Sequence, residues 1–313
     1  MGRVHLGFPP MRVDRGGSSL VVVGTSGELV RVASDCSPMH PAVRPFPASV
    51  TGGAILDEFW VGTWVERELR QARMAALPLE GDWEEGAGRG LLRSSINSAG
   101  DVMPSSSVWS KFLDAEPLAL SRVGDDLVFA TLGRGVYRIG ADAEEFWRAP
   151  YPEWPGLSKV ASRDALVSSN ESKEGVVMWS EAGGMVILDH EEGTSLLSRE
   201  LVLPDRLNDV RSSDEGEWLL ILSGGGIALL ESLESEPRFV RTPGPVLDAV
   251  HDDGRWRWTG WRHDGELLDG AQLPRRAARE RSDGRRAGNE GRRRRAPDHY
   301  KKNYNERAIT TSP

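Results

Sequence analysis

The feature that most limits what this chain can become is a short unit that recurs. Two apolar runs of strand length are joined by a glycine-rich turn, the pattern of a β-hairpin. Its clearest copy runs Glu217-Trp-Leu-Leu-Ile-Leu222, Ser223-Gly-Gly-Gly226, Ile227-Ala-Leu-Leu230. The arrangement returns at Leu20–Val23 with Leu29–Val32, at Leu127–Ala130 with Val136–Ile139, and at Val176–Trp179 with Met185–Leu188. It returns again at Trp256–Trp258 with Glu266–Leu268. A sixth copy begins at Phe59–Trp64, but its second run is delayed to about Arg73–Leu79. The stretch Trp64–Leu77 also fits a short amphipathic helix.

The copies begin at Leu20, Phe59, Leu127, Val176, Trp218 and Trp256, so the steps are 39, 68, 49, 42 and 38 residues. A step near 40 leaves room for four short strands per repeat, which is the period of a β-propeller blade. An upstream strand with the pattern Leu-x-x-Val runs into an acidic turn at Leu157…Val160…Asp164, Leu207…Val210…Asp214 and Leu247…Val250, and more loosely at Leu118–Val123. This strand is expected innermost. Phe146-Trp-Arg-Ala-Pro150 and Phe239-Val-Arg-Thr-Pro243 share Phe-x-Arg-x-Pro, with Val43–Pro47 as a drifted copy. Proline lacks a ladder donor, so these belong on the outer edge. The expectation is an all-β chain: one propeller over residues 1–272 with six four-stranded blades. Seven blades or a distorted second blade is the alternative. The last blade has no fourth strand before the composition changes, and Arg3–Phe8 is expected to supply it and close the ring. Residues 81–110 read as a long loop inserted in the second blade.

The unit resembles the loosely conforming repeats of regulator-type propellers. Asp214-Glu-Gly-Glu-Trp-Leu-Leu220 and Asp252-Asp-Gly-Arg-Trp256 match the first half of that pattern, and Gly135-Val-Tyr-Arg-Ile139 the second. The chain is also similar to uncharacterised euryarchaeal propeller proteins in its acidic, lysine-poor character. The Gly-His and Trp-Asp pairs of WD-type repeats are missing. The resemblance implies an architecture and no particular activity.

Charge is unevenly placed. From Leu273 onward 13 Lys+Arg face 5 Asp+Glu, so the net −8 divides into −16 over residues 1–272 and +8 over the rest. The body holds only Lys111, Lys159 and Lys173. An acidic surface of this kind repels nucleic acid, which leaves the basic tail, with Arg292–Arg295, as the only segment suited to it. The tail, residues 273–313, carries few large apolar residues and is expected to be disordered. Cys36 is the only cysteine, which excludes an intramolecular disulfide and a Cys-based metal site. No apolar run is long enough to span a bilayer. Met1–Leu6 leads to Pro9-Pro10 without the apolar core of a signal peptide. A cytoplasmic monomer without cofactor is the expectation.

No stretch carries an unmistakable catalytic motif. Ser212–Trp218 falls one residue short of the Ser-x-Asp-x-Gly-x-x-Trp box of sialidase-like propellers, and that box is itself a structural turn. Gly224–Gly226 lacks the Gly-Lys-Ser/Thr ending of a phosphate loop. His251-Asp252-Asp253, His263-Asp264 and Asp189-His190-Glu191-Glu192 offer metal-ligand chemistry but are also ordinary turn residues. The densest aromatic cluster is Phe146, Trp147, Arg148, Tyr151 and Trp154, interleaved with Pro150, Pro152 and Pro155. Such residues either fill the wedge between blades or form a preorganised binding loop. The expected function is a non-catalytic scaffold that binds a protein partner through its loops. The alternative is a hydrolase or lyase with its site at the mouth of the central channel.

Overall fold

A computed structural model describes residues 5–33, 35, 37–95, 102–159 and 164–268. The protein is all-β, with six small antiparallel sheets arranged as a six-blade propeller. The first blade holds β1 (Pro10–Gly16), β2 (Ser19–Gly24) and β3 (Leu29–Val32). The second holds β4 (Ser49–Ile55), β5 (Phe59–Glu66), β6 (Gln71–Pro78) and β7 (Trp109–Leu113). In the third are β8 (Pro117–Val123), β9 (Asp126–Thr131), β10 (Gly135–Ile139) and β11 (Glu145–Pro150). The fourth has β12 (Leu166–Glu171), β13 (Val176–Ser180), β14 (Gly184–Leu188) and β15 (Ser195–Glu200). The fifth has β16 (Leu207–Ser212), β17 (Trp218–Leu222), β18 (Gly226–Leu230) and β19 (Arg238–Val240). The last has β20 (Val246–His251), β21 (Arg255–Gly260) and β22 (His263–Leu268).

All six apolar hairpins of the sequence lie within a blade, and those of blades two to five are buried on both faces because blades lie on either side. The core is therefore a series of wedges. Val21, Leu29 and Trp60 join blades one and two. Met74 with Phe129 and Tyr137 joins two and three, and Val136 with Met178 joins three and four. Trp179 and Trp218, 5.6 Å apart, join four and five, and Ile221 with Trp256 joins five and six. From β1 through β4, β8, β12 and β16 to β20, each first strand lies against the first strand of the next blade, so the first strands line the axis.

Several expectations are corrected. Trp64–Leu77 is not helical; it is the hairpin of β5 and β6, whose Trp60 and Trp64 are fully buried. Pro155–Lys159 forms a 3-10 turn, and the inner strand of the fourth blade is β12, several residues later. Pro150, Pro152 and Pro155 hold the connection out of the ladder, while the polar Ser168-Ser169-Asn170 of β12 hides its strand character. Among the described residues the first and last blades have three strands, not four. Val43–Pro47 contributes only a bridge from Val43 to Leu29. His5–Phe8 is not a strand; Leu6 and Phe8 cover Val22, Val30 and Val32 on the free face of blade one. β22 pairs only with β21 among the described residues. Arg3 and Val4, Cys36 and the tail from residue 273 lie outside the described residues.

Residues 79–108 connect β6 to β7, and they are partly built in. Trp83, Leu92 of the short helix α1 (Arg89–Ser94) and Val102 all reach the wedge between blades one and two.

Candidate interaction surface

Every first strand breaks its ladder register near its start, at Pro10/Arg12, Val50/Gly52, Leu118/Ser121, Leu166/Ser168, Leu207/Asp209 and Val246/Asp248. A bulge re-aims the residue that follows it. Here the residue is polar or glycine, and it faces the neighbouring blade at the axis. Arg12 Nη1 donates to the Thr51 carbonyl at 3.2 Å. Ser121 and Ser169 share a hydroxyl hydrogen bond of 2.5 Å. Ser168 Oγ donates to Asp209 at 3.0 Å, and Asn170 Nδ2 to the Val210 carbonyl at 3.3 Å. Arg211 then bridges Asp209, at 2.7 Å, to Asp248, at 3.0 Å. Burial works against the Arg211 charge, but the two carboxylates outweigh it and raise its pKa further. Asp14 accepts from Trp60 Nε1 at 2.7 Å and pairs with Arg12. Burial pushes its carboxyl above the usual range, against the opposing pull of Arg12 and Trp60. These axial polar groups are spent on holding blades together.

The five residues singled out from the sequence separate into two roles. Trp147 is 7% exposed and donates Nε1–H to the His190 carbonyl at 2.8 Å. Trp154 is 6% exposed, lies flat on Gly184 and donates to Ser198 Oγ at 3.1 Å. Tyr151 is half-buried; its hydroxyl donates to the Asp164 carbonyl and accepts from the Leu166 N–H, and burial raises its pKa. Trp147 and Trp154 fill the wedge between blades three and four, with Tyr151 packed half-buried against them. Phe146, 52% exposed, and Arg148 remain at the outer edge. Arg148 stacks 4.7 Å over Tyr137 and pairs with Glu145 at 3.0 Å. Proline spacing could not reveal this division, because alternate residues of one edge strand point to opposite sides.

The three His-Asp turns also resolve into separate contacts. His251 Nδ1 stands 3.3 Å from Glu215, His190 Nε2 faces the Ser172 carbonyl, and His263 Nδ1 faces the Trp261 carbonyl. Among the described residues, no group of three or more His, Cys, Asp or Glu is placed to hold a metal ion, and no helix is long and apolar enough to cross a membrane.

Antiparallel pairing puts the turns between first and second strands, and the connections from third to fourth strands, on one face of the disc. That face exposes Asp57, Asp125, Glu174, Asp214, Glu215, Asp252 and Asp253 in the turns. Asp142, Glu144, Glu191, Glu192, Glu231, Glu234 and Glu236 add to it from the connections. Neighbouring turns touch: Arg122 bonds both Asp57 and Asp125, and Glu171 accepts from the Gly124 N–H. The opposite face is mixed, with Arg67, Arg134, Arg206, Arg241 and Arg262 among Glu68, Glu153 and Asp205. One side of the disc is thus strongly acidic and the other is not.

No protein-family profile matches the chain, and no curated protein matches it. Among solved structures it is similar to BamB from Moraxella catarrhalis, at 11% identity, covering 79% of this chain and 81% of that one with a TM-score of 0.45. It is also similar to a protein of unknown function from Bacteroides caccae, at 13% identity, covering 78% and 84% with a TM-score of 0.49.

Proposed function

We propose that the protein is an interaction scaffold that binds a basic segment of a partner protein on its acidic face. The observation that carries this reading is the unequal charge of the two faces. Exposed carboxylates on rigid turns attract a cationic partner at long range and set its orientation, and salt screens that attraction within about 10 Å at 0.1 M. A face assembled from the loops of successive blades is wide enough for a protein and offers no deep cleft. The axial carboxylates, by contrast, are committed to Arg12 and Arg211.

The test is capture of binding proteins on immobilised protein at about 0.05 and 0.3 M salt. The native protein is compared with a variant carrying Glu191→Lys, Glu192→Lys, Asp252→Lys and Asp253→Lys. These side chains are exposed, so folding should survive, and a melting curve verifies it. Retention of basic proteins by the native chain at low salt only, with loss in the variant, is the expected result. Equal retention by both would refute the assignment. Turnover of a glycoside or ester panel by the purified chain would refute the non-catalytic part.

A further inference from the structure

The turns between second and third strands lie on the face opposite the acids, and all six carry one residue with positive φ just before the third strand. In blades one, three, four and five that residue is Gly27, Gly133, Gly183 and Gly225, at φ between 67° and 104°. In blades two and six it is an arginine, Arg70 at 52° and Arg262 at 69°. Left-handed backbone suits glycine, and a side chain there is strained. The two arginines differ in what precedes them. Leu69 packs into the wedge between blades one and two. Trp261 is 54% exposed, and the Arg262 guanidinium lies over its ring, 4.9 Å from the centroid.

Trp261 is fixed from below. Its N–H donates to the Pro245 carbonyl at 3.0 Å, and blades one, three, four and five place Thr25, Leu132, Glu181 and Ser223 in the same bond. Trp261 is thus the one aromatic among them. The loop it bonds, from Arg241 to Pro245, is closed by Thr242 Oγ1 donating to the Gly244 carbonyl at 2.7 Å. Beside the ring the surface is bare backbone, because Gly225 lies against Gly244 and Pro245, and Gly244 against the Trp261 carbonyl. Asp205, at Gly224, bounds it and accepts its neighbour's N–H, from Arg206, at 2.7 Å. Among the described residues neither Arg241 nor Arg262 has an ion pair, whereas Arg206 is held by Glu181 and Arg67 by Glu116. The indole and the two guanidiniums serve no contact between blades.

We propose that Trp261, Arg262 and Arg241 form a second docking point, for an acidic segment of a partner protein that carries a large apolar side chain. The apolar side chain lies on the Trp261 ring, and flanking carboxylates pair with Arg262 and Arg241. Trp and Arg are the residues that dominate interface hot spots, and a stacked guanidinium holds the ring ready for contact. Charge selects the occupant. The acidic face repels such a segment, while two unpaired guanidiniums beside an open ring attract it. The strain at Arg262 is then the cost of placing a cation where four other blades use glycine. Combined with the acidic face, this makes the disc a bridge between two partners of opposite charge.

Indole N–H signals of the full chain labelled with ¹⁵N-tryptophan test this, the Trp261 signal being the one lost in Trp261→Phe. The probe is a synthetic peptide of repeated Glu-Glu-Leu, and its control has Lys in place of Glu. The acidic peptide should move the Trp261 signal and leave those of Trp147 and Trp154 in place, and the basic control should not move it. Arg262→Gly removes the cation and suits the backbone, so affinity should fall about tenfold or more while the melting temperature does not fall. A fall in melting temperature with unchanged affinity would make Arg262 a structural residue and overturn the proposal. No movement of the Trp261 signal up to about 1 mM peptide, or equal movement by the basic control, would also overturn it. Movement caused by a neutral glucose oligosaccharide and not by the peptide would do the same, because the ring would then be a platform for sugar.

Discussion

A Cβ at position 184 would occupy the place of the Trp154 indole, which is why a strand residue in the middle of a blade is glycine. Its backbone is ordinary extended chain, so Gly184→Ala brings no conformational penalty, only a clash with the ring. Overpacking of this kind costs about 1–3 kcal/mol, and chemical denaturation should show a loss in that range. Gly184→Ala combined with Trp154→Phe should recover part of it; a strictly additive double variant would mean the two sites are not in contact. His40 offers a second test. Its Nε2 accepts the Arg31 N–H at 3.2 Å, while Nδ1 lies 2.7 Å from the Pro41 carbonyl, so the neutral tautomer is held from both sides. Burial, chiefly, lowers its pKa, aided by Arg31 and opposed by the Pro41 bond and Asp82. A base whose folded pKa is depressed takes up its proton first in the unfolded chain. The stability it supports is complete above about pH 6.5 and is lost as pH falls from there through the lower folded value. In His40→Gln that pH dependence should flatten, as measured by melting temperature between pH 5 and 8; an unchanged slope would assign the acid sensitivity elsewhere.

The six inner strands share one device: a bulge near the start that turns a polar side chain or a glycine toward the next blade. Asp209 and Asp248 are the clearest instances, joined across the junction by Arg211, which pairs with both. Replacing Arg211 by Met leaves two carboxylates facing each other without their cation. Because the group is partly open to solvent, the expected loss is about 1–3 kcal/mol, below the 3–5 found for fully buried pairs. Adding Asp248→Asn should restore some of it, which equilibrium denaturation would show. The middle of each blade was readable from the chain because both of its strands are apolar, between glycine turns. The inner and outer strands were harder. Leu207–Ser212 was found through Leu207 and Val210, both buried, whereas Val246–His251 was found through Leu247 and Val250, which are exposed; its buried positions are Val246 and Ala249. Leu166–Glu171 was missed, because its Ser168, Ser169 and Asn170 serve the axis and carry no apolar period. Of the five proposed contact residues, Trp147 and Trp154 belong to the wedge. Aromatic density alone does not say on which side of an edge strand a ring falls.

Stability should be uneven around the ring. Core wedges join each blade to the next from one to six, while among the described residues none joins six to one. In a chain of neighbour-only contacts, the end units have half the support of the middle ones. Amides of β13, β14, β17 and β18 should therefore exchange last, and those of β2 and β21 earlier, in native-state hydrogen exchange. Uniform protection of all six hairpins would show a seam as tight as the other junctions. The sequence by itself determined the repeat, its strand content, the number of hairpins and the acidic body, because hydrophobic period and turn chemistry are local properties. Only the tertiary structure decided which groups meet across blades. It showed that the axial polar residues are consumed in holding the ring and that the acids gather on one face. Those are distances between segments about 40 residues apart, and no local pattern encodes them.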